Sequence, residues 1–116
     1  MQKILKLFKE SKIIKKYSIL DFNSGQDFYY LKAKLELIDS TFLFIREFIS
    51  SEEHIYSYHL QDAENNLITR WDNAPHHKEL KTYPHHKHTP NVSESYEINI
   101  QDVLKYIEKN IIPNKK

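Results

Sequence analysis

The chain contains no cysteine. Disulfides, thiolate nucleophiles and every zinc site built on sulfur are thereby excluded, so any metal would have to be held by histidine and carboxylate. There is one glycine, Gly25, which rules out a glycine-rich phosphate loop. No run of about 18 apolar residues occurs. The lysine-dotted start MQKILKLFKESK also lacks the continuous apolar core of a secretion signal, and the expectation is a cytoplasmic protein without a membrane partner. Charge of one sign is missing as well: 17 Lys and Arg face 16 Asp and Glu, a formal net charge of +1. The domain as a whole is therefore not a strongly basic nucleic-acid binder, and the distribution of charge matters more than its sum.

What is present is aromatic side chains and histidine. The chain has eight Tyr, six Phe and one Trp, and its 40% hydrophobic and 28% charged shares are those of a globular protein rather than a disordered one. At 116 residues it has the length of a single domain, 1–116, with one core. Of its seven histidines, His76, His77, His85, His86 and His88 crowd into WDNAPHHKELKTYPHHKH, where the tetrapeptide PHHK occurs at Pro75 and again at Pro84.

Periodicity supplies the elements. KILKLFKE places Ile4, Leu5 and Phe8 on one side with lysines between, the pattern of a short amphipathic packing helix. KKYSILDF predicts a first strand that ends at the turn-prone Asn23-Ser24-Gly25. In YYLKAKLELI, Leu31, Ala33, Leu35 and Leu37 alternate with Lys32, Lys34 and Glu36, as in a strand with one buried face. A two-residue turn at Asp39-Ser40 then leads into TFLFIREFIS. That register sets Leu35 opposite Phe44 and Arg46 opposite Ala33, leaving an arginine on an otherwise apolar face.

HIYSYHLQD alternates again, with Tyr56, Tyr58 and Leu60 on one side and Ser57, His59 and Gln61 on the other. Pairing Asp62 with Leu67 in the following LITRWDN places His59 opposite Arg70, Tyr58 opposite Trp71 and Ser57 opposite Asp72. Residues 74–93 lack periodicity and contain Pro75, Pro84 and Pro90, which predicts a long loop of the kind that often carries function. Val103, Leu104, Ile107 and Ile111 form the stripe of a C-terminal helix, with Asn99 as N-cap, Asp102 in the first turn and Pro113 at its end. The expected fold is a single α+β domain: an antiparallel sheet of about five strands flanked by an N-terminal and a C-terminal helix. Because Leu43, Ile45 and Ile49 alternate with Phe42, Phe44 and Phe48, both sheet faces are expected to be at least partly covered.

The histidine segment supports more than one chemistry. A divalent metal could be held by Asp72, His76, His86 and His88, although no standard ligand spacing is present. The opposing reading needs no cofactor. Imidazoles that exchange protons near neutral pH, beside an arginine able to grip a phosphate with two parallel bonds, suit metal-independent RNA cleavage through attack by the 2′-OH. The candidates are His59, Arg70, Asp72, His76, His77, His85, His86 and His88, with His59 and His86 as the preferred acid and base and Asp72 orienting them. Arg46, Arg70 and Lys87 would hold phosphate, and Trp71 or Tyr58 would stack a base. A binding surface without turnover is the third reading.

The run YSYHLQDAENNLITRWDNAPHH followed by PHHKH resembles the signature of the TumE family, small prokaryotic proteins that form the toxin half of toxin-antitoxin pairs. YYLKAKLELID and the helix DVLKYIEK also fit that layout, with Ser40 standing where a turn glycine is usual, Leu60 where a Trp is frequent and Lys78 where a Pro is common. The resemblance implies a cognate antitoxin, expected to be a helix-turn-helix DNA-binding protein, with RNA as the expected substrate. A second copy of the chain is a further expected partner.

Overall fold

The computed structural model describes residues 2–73, 86–88, 92–94 and 99–112. In chain order it contains α1 (Gln2–Glu10), β1 (Ile14–Ser24), β2 (Phe28–Leu37), β3 (Phe42–Ser50), β4 (His54–Gln61), β5 (Leu67–Asp72), β6 (His86–His88), β7 (Val92–Glu94) and α2 (Ile100–Asn110). All the strands join one antiparallel sheet in the order β1-β2-β3-β4-β5-β6-β7, so each strand lies beside its neighbour in sequence. Five long strands with a helix at either end make the expected α+β domain. The two short strands fall where the sequence predicts only loop, because three residues are too few to display a period. No helix among the described residues is long and apolar enough to cross a membrane.

Both helices lie against one face of the sheet. Leu31, Ala33, Leu35 and Leu37 of β2 and Leu43 and Ile45 of β3 are buried there, with Tyr56, Tyr58 and Leu60 of β4 and Trp71 of β5. Phe8 of α1 packs on Tyr17, ring centroids 5.3 Å apart, while Ile100, Val103, Leu104 and Ile107 of α2 complete the same cluster. Each such aliphatic side chain contributes about 1.5–3 kcal/mol by leaving water. Asn99 caps α2 as predicted: its side chain accepts the Asp102 N–H at 2.9 Å, and the Asp102 carboxylate accepts the Asn99 N–H at 3.1 Å. The opposite face carries Phe42, Phe44, Arg46, Phe48, Ser57, His59 and Arg70, and no helix among the described residues covers it. Phe42, Phe44 and Phe48 are half-buried on that face, and Asp72 is only 3% exposed.

Two hairpins decide which residues meet. Between β2 and β3 the Leu37 N–H donates to the Thr41 carbonyl at 2.9 Å, the Ser40 N–H donates to the Leu37 carbonyl at 3.1 Å, and Ser40 has φ 68°. This is a three-residue loop with a left-handed third residue, not the predicted two-residue turn. The register shifts by one: Leu35 faces Leu43, Ala33 faces Ile45, and Arg46 faces Lys32. Arg46 therefore leaves the apolar face to which the shorter turn assigned it. Between β4 and β5, Asp62 pairs with Asn66 and Asn65 has φ 69°, a loop of the same kind. Gln61 rather than Asp62 is opposite Leu67, but a bulge at Ile68 adds the missing residue. Beyond it Leu60 faces Thr69, His59 faces Arg70, Tyr58 faces Trp71 and Ser57 faces Asp72, so those last three predicted pairs hold.

Candidate functional site

The strand order extends the β4–β5 pairs by one strand. In β6, His88 is the Cα partner of Arg70, Lys87 of Trp71 and His86 of Asp72. Two rows thus cross three strands: His59, Arg70 and His88 in one, Ser57, Asp72 and His86 in the next. Asn73 fixes the point at which the chain leaves β5. Its side-chain carbonyl accepts the Tyr56 N–H at 3.0 Å and its amide donates to the His54 carbonyl at 2.5 Å, so a buried side chain takes over the hydrogen bonding where β5 ends. His76, His77 and His85 lie outside the described residues.

Within the first row the imidazole of His59 has a defined tautomer. Gln61 donates its amide N–H to Asn65 Oδ1 at 2.8 Å, which turns its oxygen toward His59 Nε2, 3.1 Å away. In the neutral ring Nε2 therefore carries the proton and Nδ1 the lone pair. Burial, and after it the positive charge of Arg70, hold the His59 pKa below its ordinary value of 6.5, against a smaller opposite effect of the Gln61 bond. A neutral imidazole with one basic nitrogen is the form required of a proton acceptor.

Arg70 is steadied from its own strand. Its Nε donates to Asp72 Oδ2 at 2.9 Å, and Asp72 is only 3% exposed. Asp72 meets the Arg70 guanidinium, where the sequence predicts that it orients a histidine, and it is Gln61 that meets the His59 ring. Arg46, Ser57 and Arg70 line two adjoining hollows: one of about 220 Å³ shared with Leu20, Phe44 and His59, the other of about 360 Å³ shared with Tyr30, Phe48 and Asp72. Two guanidinium groups at a common boundary suit an anion with several acceptor oxygens.

Trp71 and Tyr58 do not offer the stacking surface predicted for them. Trp71 is 3% exposed and meets Tyr106 of α2 edge-on with ring centroids 5.5 Å apart, and Tyr58 is fully buried. Alternation explains the difference: both sit one residue out of phase with His59 and Asp72 and so point into the core. Of the alternative metal set, His76 lies outside the described residues, and among the described residues no group of three or more His, Asp or Glu side chains is placed to hold a metal ion.

The sequence reading missed a polar cluster on the helix-covered face. Glu47, 3% exposed, accepts hydrogen bonds from the phenols of Tyr29 and Tyr58, and His54 Nε2 lies 3.5 Å from the same carboxylate. Burial first, reinforced by the Glu47 charge and hydrogen bond, pushes both phenols well above the usual tyrosine range. Glu47 also borders a cavity of about 460 Å³ with Ile4 and Leu7 of α1 and Ile100 of α2. The available signal was phase, since Glu47 continues the Leu43, Ile45 alternation and a carboxylate in that series must find buried donors. This cavity is the larger, but His59, Arg46 and Arg70 line the hollows on the open face instead.

The family model for the toxin TumE matches residues 4–111, from α1 to the end of α2, and so spans both rows and the open face. No curated protein and no solved structure gives a significant match. With nearly its whole length covered, the chain belongs to the TumE family of toxins.

Proposed function

We propose that this toxin acts on RNA as a metal-independent endoribonuclease whose centre is the pair of rows across β4, β5 and β6. A toxin family implies an antitoxin partner in general; a helix-turn-helix DNA-binding protein is the proposed one. The observation that carries the reading is the register that aligns His59, Arg70 and His88. His59 Nδ1 takes the proton of a ribose 2′-OH as that oxygen attacks the adjacent phosphorus. The bond from phosphorus to the 5′-oxygen breaks, and an imidazole of β6, His86 or His88, returns a proton to the leaving oxygen. The products are a 2′,3′-cyclic phosphate and a free 5′-OH. Arg70 and Arg46 hold the non-bridging oxygens and take up their growing negative charge.

General acid and base groups contribute about 10²–10⁴-fold each. His59→Ala and the His86→Ala, His88→Ala double variant should lose activity by that order while their unfolding transitions remain intact. The test is to express the chain alone, with its neighbouring gene product, and as the double variant, following growth and total RNA, and then to repeat cleavage with purified protein in EDTA. Growth arrest with RNA fragmentation that the neighbour or the histidine changes suppress is expected, and cleavage should survive chelation. Activity lost in EDTA and restored by Zn or Mn would transfer the reaction to a metal held by Asp72, His76, His86 and His88. Intact RNA with normal growth would leave a binding protein without turnover.

A further inference from the structure

The open face next to His59 has a feature that acid-base chemistry alone does not use. Lys34 Nζ stands over the Phe42 ring at 4.9 Å from its centroid and over the Phe44 ring at 5.7 Å. A cation stands over these two half-buried rings, on the face that no helix among the described residues covers. Phe44 also meets the His59 ring edge-on, centroids 6.3 Å apart, so the aromatic surface runs directly into the first row.

Charge on this face is matched to a polyanion. Lys32 and Arg46 are exposed Cα partners across β2 and β3, and among the described residues neither forms an ion pair. Of the carboxylates nearby, Glu36 lies 3.5 Å from Lys15 and Asp72 receives Arg70, while Asp21, the Cα partner of Lys32 on the outer strand β1, forms no ion pair among the described residues.

We propose that β2 and β3 form a track for single-stranded RNA leading to His59, an inference that rests on the ribonuclease reading above. Bases stack on Phe44 and Phe42, displacing the Lys34 ammonium to the backbone, where Lys32, Lys34 and Arg46 pair with successive phosphates. A duplex does not suit this surface. Its bases are already stacked on one another and cannot lie on a ring, whereas unpaired bases present their faces to aromatic side chains on an open sheet.

The test measures binding apart from cleavage. Fluorescence anisotropy is recorded with a labelled 2′-O-methyl RNA strand of about a dozen nucleotides, within the span usual for one such platform, and with the same strand annealed to its complement. The methyl group blocks the attacking oxygen, so only affinity is read. The single strand should bind more tightly than the duplex. Phe44→Leu should weaken single-strand binding about 5- to 100-fold and Phe44→Trp should restore it, since stacking and not bulk is removed. Lys32→Ala and Arg46→Ala should each flatten the dependence of log affinity on log salt by about 0.7, the release expected for one phosphate of a single strand. Thermal melting of each variant verifies that it folds.

Equal affinity for strand and duplex, with Phe44→Leu neutral, would overturn the track while leaving the ribonuclease reading in place. Absence of binding to either nucleic acid would overturn both. Phe44→Leu that abolishes binding of the purified antitoxin but not of RNA would overturn the track in favour of a protein-docking face.

Discussion

Because Asn65 holds the amide of Gln61, the oxygen that faces His59 is fixed, and with it the nitrogen left to accept a proton. Gln61→Glu replaces that oxygen with a charged one and should raise the His59 pKa, moving the acidic limb of the pH-rate profile upward; NMR titration of the His59 ring measures the same shift without turnover. The sign for stability follows from the depressed native value. Below about pH 6.5 the unfolded chain protonates His59 while the folded chain resists it, so this residue's contribution is fully present above the unfolded pKa and is lost as pH falls. Denaturant midpoints at about pH 7.5 and about pH 5.5 should therefore fall further for the wild-type chain than for His59→Gln. On the other face, Glu47→Ala would strand the buried phenol of Tyr58 and the half-buried one of Tyr29 and should cost roughly 3–5 kcal/mol in urea unfolding, with Glu47→Gln milder because one acceptor survives.

At the scale of the element, the two loops with a left-handed third residue explain what was legible in the sequence and what was not. Ser40 occupies a conformation for which glycine is the usual mark. Without that mark the loop reads as two residues, and a one-residue error sends every side chain of β3 to the wrong face, Arg46 included. The β4–β5 loop was misjudged by the same residue, yet the Ile68 bulge compensates it, which is why the His59–Arg70 and Ser57–Asp72 pairs were readable from sequence. α1, α2 and β2 were legible because their periods are long and unbroken. β6 and β7 were not, and neither was the tautomer of His59, which depends on a side chain in a neighbouring turn. Ser40→Gly should relieve the strained φ and stabilise the protein by about 0.5–1 kcal/mol, whereas Ser40→Val should destabilise it, both measured as shifts in the unfolding midpoint at constant slope.

At the scale of the whole molecule, the sheet separates a face that holds the protein together, under both helices, from a face that carries the proposed site. Trp71, the single tryptophan, belongs wholly to the first, packed on Tyr106. Its emission should be blue-shifted in the native state and move red as α2 detaches. Addition of oligonucleotide should leave it nearly unchanged, and strong quenching would place the ligand among the helices instead. The order of the strands has a consequence in time. Since each strand pairs with the one made just before it, the sheet can be laid down as the chain emerges from the ribosome. The histidine strand joins only after five others are in place, and the last helix closes the core after that. The strand that carries the proposed site is thus among the last parts of the chain to be made, which leaves an antitoxin made beforehand time to meet the chain before the sheet is complete.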